Sequence, residues 1–298
     1  MRLKKIFAEC IIYFMQIVVP MAGNGKRFAD AGYDVLKPLI EVEGKPMIEH
    51  VVNLFPGEND FVFICSEKHL AETPLRKTLQ RIKPKARIVS ISPHKLGPVQ
   101  TILLAGAYVR DNEPTLVSYC DFSWEWNYTD FLRTLREKNP DSASVCYTGF
   151  HPHLLGPNLY AGVRVDEKGY ALEVQEKHSF TQNKMDTWFQ AGVFYFKSGG
   201  LLKKYCKLVS ESGSGGINGE YYGAHLFNFL LQDGLTSFVY KIPYWCNWGT
   251  PEDLEEYNHW IALAVAGGAL PVSDKANDAP RIISYWRNFL RDRKSHQA

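Results

Sequence analysis

Short apolar runs alternate with amphipathic segments through the first half of the chain. The runs have the length and β-branched composition of buried strands, and they fall at residues 16–21, 60–66, 86–92, 115–121 and 143–149. Helical spacing of apolar positions fills the intervals at 46–54, 67–82, 98–110 and 127–138. This alternation predicts an α/β fold, with a Rossmann-like, mostly parallel sheet flanked by helices.

Beyond residue 150 the pattern favours antiparallel structure. Residues 159–177 predict an inserted hairpin with its turn at Asp166-Glu167-Lys168-Gly169. The remaining predicted elements are strands at 188–199 and 237–243, helices at 199–210 and 220–234, and a glycine- and serine-rich loop at 212–219. A last helix is predicted with Thr250 as its N-cap, Pro251 as its first residue and Asp253 as the acidic capping partner.

The two ends of the chain are set apart from this pattern. Lys4 and Lys5 precede an apolar run that superficially resembles a signal peptide, but no small-residue cleavage site follows it. Residues 1–14 are interpreted as an extension, or as the product of an upstream start with Met15 as the true beginning. The main domain is predicted at 15–265, and residues 266–298 as a linker and a basic amphipathic helix.

The amino-acid composition indicates which broad class of protein the chain belongs to. The 298 residues are 45% hydrophobic and 22% charged, with a net charge of +2, which indicates an ordinary globular protein. The weak net charge creates no global field that points to nucleic acid or a membrane, and neither nucleic-acid binding nor membrane insertion is expected. None of the six cysteines forms a C-x-x-C pair, so free thiols in a reducing, cytoplasmic setting are expected.

The strongest chemical signal is the segment PMAGNGKRF at residues 20–28, directly after the first strand. Gly23 and Gly25 let backbone approach a ligand, and Lys26 and Arg27 add positive charge, as a phosphate-binding loop requires. The dinucleotide fingerprint is absent because Phe28 stands at its third glycine position, and the P-loop spacing is also absent.

Lys37-Pro38-Leu39 and Gly44-Lys45-Pro46-Met47 follow this loop. With them, the chain resembles the sugar nucleotidyltransferase family, the nucleoside-diphosphate-sugar pyrophosphorylases, over roughly residues 16–262. The resemblance implies an enzyme that couples a nucleoside triphosphate to a phosphorylated small molecule and releases pyrophosphate. It is similar to bacterial members that supply capsule and other surface-polysaccharide precursors, and it leaves the nucleobase, the acceptor and a homo-oligomeric state open.

The resemblance also implies a nucleotide-binding half at 15–125. Ala22, Gly23 and Gly25 would contact the nucleotide, while Lys26 and Arg27 would bind the departing phosphates and Lys37 would sit near the α-phosphate. The segment after residue 96 corresponds to nucleobase recognition, through Gly97, Gln100 and Thr101. Asp121, at the end of a predicted parallel strand, would hold Mg²⁺, which favours few carboxylates together with phosphate oxygens and waters.

The acceptor half is expected at 126–265. Its hairpin resembles the family's sugar site, where Gly162 would allow close approach of a ring, Glu176 would accept hydroxyl hydrogen bonds and Lys177 would hold the acceptor phosphate. Gly192 lies on the following strand. The chain departs from the commoner pattern at Asn247, where many members carry a second metal-binding aspartate. Asn247 could itself ligate the cation through its carbonyl oxygen, without charge, and so form a weaker site with Asp121. Glu125 or Asp253 could replace that ligand, or Asp121 could suffice alone.

Two other functions remain open at this point. A glycosyltransferase that uses a finished nucleotide-sugar would share the nucleotide fold, but Asp121 is followed by Phe122 and Ser123 rather than completing Asp-x-Asp. A non-catalytic nucleotide or sugar-phosphate sensor is compatible with Asn247. Because the attacking phosphate of a pyrophosphorylase is already anionic, that reaction needs cations to position two anions rather than a general base.

Overall fold

The fold is a nine-stranded mixed sheet with helices on both faces. The computed structural model describes residues 15–213 and 219–265; the predicted extension at 1–14 and the predicted linker and helix at 266–298 lie outside them, as does most of the predicted loop at 212–219. Within the described ranges, no helix is both long and apolar enough to cross a membrane.

The strands carry the numbering used below. They are β1 (Gln16–Met21), β2 (Glu41–Val42), β3 (Lys45–Pro46), β4 (Asp60–Ser66), β5 (Arg87–Ile91), β6 (Thr115–Ser118), β7 (Phe122–Ser123), β8 (Ser142–Tyr147), β9 (Gly162–Val165), β10 (Ala171–Gln175), β11 (Trp188–Phe196), β12 (Ser237–Lys241) and β13 (Cys246–Asn247).

The helices are numbered in the same way. They are α1 (Lys26–Asp30), α2 (Met47–Asn53), α3 (Glu67–Glu72), α4 (Leu75–Ile82), α5 (Gly97–Leu104), α6 (Tyr128–Lys138), α7 (Gly199–Ser212), α8 (Ala224–Gln232) and α9 (Pro251–Val265).

The parallel part of the sheet is built on β1. All six of its residues are buried, as expected of a central strand covered on both faces. It pairs in parallel with β4 on one side and β6 on the other, and β5 extends the sheet beyond β4. The predicted parallel α/β core is therefore confirmed, and the carboxyl ends of β1, β4 and β6 share one edge.

The other part of the sheet is mostly antiparallel. Strand β11 runs antiparallel to β6, β8 and β9, and the β9–β10 hairpin continues the sheet from there. The predicted turn closes this hairpin: the Asp166 carboxylate accepts hydrogen bonds from the backbone N–H groups of Lys168 and Tyr170. The sheet joins both predicted halves, and the boundary at residue 125 stays a prediction.

Two helix predictions differ from the structure at their ends. The helix predicted at 67–82 is two helices, because Pro74 follows Thr73, whose backbone is extended, and a residue before proline disfavours helical geometry. The helix predicted at 220–234 begins only at Ala224. The preceding residues instead hydrogen-bond to the start of α5, where Tyr221 N–H donates to the Leu96 carbonyl oxygen at 3.0 Å.

Candidate active site

The glycine-rich loop lies at the carboxyl end of β1. Gly25 has a φ of 61°, a left-handed conformation that glycine adopts at little cost, and α1 begins directly after it. A β-carbon at Gly25 would lie 3.4 Å from the Lys37 β-carbon. The loop therefore packs closely against the segment that carries Lys37.

Two cavities open on this edge of the sheet. The loop cavity, of about 440 Å³, is lined by the glycine-rich loop, by the residues around the start of α5 and by Glu220. The hairpin cavity, of about 200 Å³, is lined by residues of β11, by the segment after β10 and by aromatic side chains. Six residues line both cavities: Arg27, Lys37, Tyr119, Asp121, Tyr222 and Gly249.

An ion pair marks this junction. Lys37 Nζ donates to Asp121 Oδ2 at 2.5 Å and to the Gly249 carbonyl oxygen at 2.8 Å. The two side chains are only 17% and 22% exposed, so water screens the pair less than it screens a surface ion pair. Lys37 and Asp121 thus lie where a ligand in one cavity would meet a ligand in the other cavity.

Strand pairing brings Asn247 beside Asp121. Phe122 of β7 is the register partner of Asn247 in β13, and Trp248 N–H donates to the Asp121 carbonyl oxygen at 2.8 Å. Asn247 is buried, and its Oδ1 accepts the Gly249 N–H at 3.1 Å. Its Nδ2 donates to the Tyr160 hydroxyl oxygen.

The carboxylate of Asp121 and the side-chain amide oxygen of Asn247 fit the chemistry of Mg²⁺. A carboxylate and an amide oxygen are hard ligands, and Mg²⁺ normally takes one or two protein groups and completes its octahedron with phosphate and water oxygens. Within residues 15–213 and 219–265, no three His, Cys, Asp or Glu side chains form a metal-binding group. Glu125 lines a separate surface hollow with Pro56 and Tyr244.

The hairpin cavity is lined by three of the four predicted acceptor residues, Glu176, Lys177 and Gly192, but not by Gly162. Glu176 and Lys177 follow β10, and Lys177 has a φ of 51°, an uncommon conformation for a residue with a side chain. A β-carbon at Gly192, which has a φ of 90°, would lie 2.6 Å from Phe122 Cε1. A β-carbon at Gly162 would overlap the His178 carbonyl oxygen. Gly192 thus keeps the Phe122 ring close at this cavity, whereas Gly162 packs against the His178 backbone outside its lining.

Glu176 is unusual electrostatically. Burial raises the pKa of its carboxyl group to about 7, although the positive charge of Lys177 opposes this shift. Near neutral pH the side chain therefore exists in both protonation states. A hydroxyl donor or a cationic group entering the cavity would stabilise its charged form.

Two further polar groups in this cavity were not predicted from the sequence. Gln190 and Trp245 are 5% and 8% exposed and line the hairpin cavity. Gln190 Nε2 and Trp245 Nε1 are buried atoms with no hydrogen-bond partner in the described part of the chain. Because an unsatisfied buried donor costs about 1–3 kcal/mol, both are expected to donate to a ligand or to water.

The predicted nucleobase residues separate in the structure. Gly97 and Thr101 line the loop cavity, whereas Gln100 lines neither cavity. Gln100 Oε1 instead accepts a hydrogen bond from the Ser210 hydroxyl of α7 at 3.1 Å. Ala22, Gly23 and Gly25 do line the loop cavity.

A histidine at the start of α5 was also missed. His94 Nδ1 accepts the Leu96 N–H at 3.1 Å, so a neutral ring carries its proton on Nε2 and donates it to the Thr101 hydroxyl at 3.0 Å. Burial lowers the pKa of His94, which favours this neutral form. No sequence motif distinguishes His94, because its contact depends on how the turn folds.

The two loop cations differ in environment. Arg27 lines both cavities, whereas Lys26 lines only the loop cavity and is paired with Asp30 one turn further along α1. The Lys26 side chain is 79% exposed, so its ion pair is weak and a phosphate could displace it. Lys26 thus lies on the loop side of the Lys37–Asp121 pair, whereas Arg27 lies at the junction of the two cavities.

Comparisons with known proteins identify the family and the fold. The family described as "Nucleotidyl transferase" matches residues 17–262. The bifunctional protein GlmU of Staphylococcus epidermidis is 26% identical over 226 residues, which cover 75% of this chain and 47% of that protein. GlmU of Methanocaldococcus jannaschii is 22% identical over 83% of this chain and 54% of its own length. The chain thus spans about half the length of these relatives.

Solved structures share the fold. A nucleoside-diphosphate-sugar pyrophosphorylase from Vibrio cholerae superposes with a TM-score of 0.62 at 20% identity, covering 82% of this chain and all of the other. The inositol-1-phosphate CTP transferase from T. maritima gives a TM-score of 0.63 at 19% identity, over 83% of this chain and 94% of its own. At these identities the similarity establishes the fold alone.

Proposed function

This chain belongs to the nucleotidyl transferase family, and we propose that it joins a nucleoside triphosphate to a sugar phosphate or similar phosphorylated small molecule, with release of pyrophosphate. The observation that carries the proposal is the Lys37–Asp121 pair at the junction of the two cavities. A triphosphate in the loop cavity and a phosphorylated acceptor in the hairpin cavity would meet at this pair.

The reaction assigned to this arrangement is an in-line displacement. An anionic oxygen of the acceptor phosphate attacks the α-phosphorus, a new P–O bond forms, and the bond from the α-phosphorus to the bridging oxygen breaks. Pyrophosphate leaves with the electron pair of that bond. No proton must be removed from the nucleophile, so the site requires positioning and charge neutralisation rather than a general base.

The cations have separate roles in this proposal. Lys26, in the loop cavity, and Arg27, which lines both cavities, bind the β- and γ-phosphates that leave. Lys37 neutralises charge at the α-phosphate, where the bonding changes. Asp121 and Asn247 would hold Mg²⁺, which when bound would neutralise phosphate charge and help to align the two reactants. Lys177 holds the acceptor phosphate in the hairpin cavity.

The hairpin cavity supports an acceptor that carries hydroxyl groups. Gln190 and Trp245 offer two buried N–H donors, while Glu176 offers a carboxylate acceptor. A hydroxyl group both accepts and donates a hydrogen bond, so a polyhydroxylated ring can satisfy all three groups at once. Such a site rejects a deoxy analogue strongly, because the analogue leaves buried donors unpaired.

Thermal melting with ATP, GTP, CTP, UTP and dTTP, each with and without Mg²⁺, tests nucleotide binding first. A nucleotide present at 100 times its dissociation constant stabilises a fold by about 2.7 kcal/mol, which gives a measurable shift. We expect a Mg²⁺-dependent shift that Asp121→Ala abolishes. Stabilisation by nucleotide-sugars alone, and by no triphosphate, would contradict the proposal and favour a glycosyltransferase.

A further inference from the structure

A chain of buried and partly buried hydrogen bonds connects the start of α9 with the residues at the cavity junction. Asp253 Oδ2 accepts the Thr250 N–H at 3.0 Å and the Thr250 hydroxyl at 2.9 Å, which closes a capping box on the first turn of α9. The same oxygen accepts the Tyr160 hydroxyl at 3.2 Å. Asp253 is 8% exposed, and this one oxygen accepts three hydrogen bonds from two residues.

The chain continues from Tyr160 to Asn247. The Tyr160 hydroxyl has one proton, and that proton is donated to Asp253. Its oxygen can then only accept, and it accepts the Nδ2–H of Asn247.

This direction of donation fixes the Asn247 amide. With Nδ2 committed to Tyr160, Oδ1 is the atom at the Gly249 N–H, 3.1 Å away. Gly249 is also the residue whose carbonyl oxygen accepts from Lys37, the partner of Asp121. An amide oxygen has two lone pairs, and the bond from Gly249 leaves the second for a ligand in the hairpin cavity, which Asn247 lines.

We propose that Tyr160 is a positioning residue that fixes the amide of Asn247 with its oxygen available to a divalent cation shared with Asp121. The inference rests on the proposed function, because it assumes a cation at this pair. It also explains the asparagine in physical terms. Tyr160 has already donated its only proton to Asp253, so the group at position 247 must itself be a donor.

Removal of the Tyr160 hydroxyl tests the inference without turnover. Tyr160→Phe keeps the ring, which packs edge-to-face on His153 and Trp245 at centroid distances of 4.8 and 4.9 Å. Binding of Mn²⁺, used alone as the probe, is measured from the electron paramagnetic resonance signal of the free ion. Groups that orient metal ligands typically contribute 10–100-fold to affinity, so we expect Tyr160→Phe to weaken Mn²⁺ binding about 10-fold.

Tyr147→Phe is the matched control. Its hydroxyl also makes one buried hydrogen bond, with His153 Nε2 at 2.8 Å, and its ring lies in the same aromatic cluster. We expect this variant to bind Mn²⁺ as the wild type does. The role of Tyr160 would be overturned if Tyr160→Phe and Tyr147→Phe both bound Mn²⁺ as tightly as the wild type while Asp121→Asn lost Mn²⁺ binding. That result would leave the proposed function intact.

A double-mutant cycle of melting temperatures tests separately whether the Tyr160 hydroxyl has a proton to donate to the side chain at position 247. Asn247→Asp places a carboxylate against a hydroxyl oxygen that has no proton to give, so we expect a lower Tm at pH 8. In the Tyr160→Phe background this contact is absent, so the part of the loss that it causes should disappear, while the cost of a buried charge beside Asp121 remains. If Asn247→Asp lowered the Tm equally in the wild-type and Tyr160→Phe backgrounds, the inference would be contradicted. Mn²⁺ binding that is insensitive to Asp121→Asn would overturn the cation site and the inference together.

Discussion

A lysine ammonium has three donors, and the Lys37 ammonium uses two of them on Asp121 and the Gly249 carbonyl oxygen. These partners lie 84 and 212 residues away in the sequence. The family resemblance pointed to Lys37 and Asp121 separately, but no local pattern could indicate that they form a pair. A phosphate that approaches Lys37 would compete with Asp121 for the same ammonium group.

Lys37→Met should therefore reduce kcat by about 10²–10³, because one preorganised charge at the reacting phosphate is lost. The initial rate of pyrophosphate release at saturating substrates measures this effect. Lys68→Met is a suitable control, since Lys68 is 64% exposed and forms only a surface ion pair with Glu72. A kcat in Lys37→Met that equals the kcat of this control would contradict the assigned role.

Glu176 gives a prediction about pH. Its pKa in the folded protein, about 7, exceeds the ordinary value of 4.5, so the folded state binds more protons than the unfolded state between these values. The contribution of Glu176 to the free energy of unfolding is therefore most favourable below pH 4.5 and decreases as the pH rises towards 7. Once the carboxyl group is ionised, the cost is on the order of 2–3 kcal/mol.

Glu176→Gln removes this titration while keeping a similar shape. The free energy of unfolding of the variant, relative to that of the wild type, should be higher at pH 8 than at pH 5. Urea denaturation at both pH values measures this difference. Glu173→Gln is the control, because Glu173 lies on the same hairpin in an exposed ion pair with Arg164. A difference between Glu176→Gln and wild type that stays constant from pH 5 to pH 8 would contradict the buried-carboxyl account.

Gln100 illustrates the limit of residue-level prediction. The motif identified the right turn, and Gly97 and Thr101 do line the loop cavity. Adjacent positions of a helix differ by about 100°, so Thr101 and Gln100 point in different directions. Packing of α5 against α7 decides which one faces the cavity, and that contact cannot be derived from local sequence.

At the scale of elements, the start of α5 depends on a glycine. Gly97 has a φ of +83°, and a β-carbon there would lie 2.7 Å from the Tyr221 carbonyl oxygen and 2.8 Å from its nitrogen. The segment before α8 can pair with this turn only because the side chain is absent. This pairing also explains why the helix predicted from residue 220 begins at Ala224.

Gly97→Ala should separate the two segments and weaken nucleotide binding. Gly57→Ala is its matched control, because Gly57 has a φ of +86° but nothing within 4 Å of the added carbon. The control carries only backbone strain of about 1–2 kcal/mol, whereas overlap adds about 1–3 kcal/mol at Gly97. Urea denaturation and the nucleotide-induced melting shift measure both effects; equal losses in the two variants would contradict this account.

Element boundaries were predictable where local chemistry sets them. The capping box at Thr250 and Asp253 was predicted and is confirmed. The break at Pro74 was also accessible, since proline restricts the preceding residue. By contrast, the pairing of β7 with β13, which brings Asn247 to Asp121, joins two-residue strands that have no periodic signal.

At the scale of the whole molecule, the alternating pattern predicted the parallel core, because each buried strand is a short apolar run followed by a helix. The antiparallel placement of β11 between β6 and β8 could not be predicted in the same way. Its residues are buried along nearly their full length, so alternation does not show which neighbours it pairs with. That placement nevertheless creates the hairpin cavity.

The most direct test of the central claim is pyrophosphate release. The wild type would be incubated with Mg²⁺, each common nucleoside triphosphate and a panel of sugar and polyol phosphates, with Asp121→Ala as control. We predict that one pairing yields pyrophosphate and a nucleotide-linked acceptor in equal amounts, and that Asp121→Ala abolishes both products. Binding of a triphosphate and an acceptor without pyrophosphate from any pairing would contradict the claim and leave a non-catalytic sensor.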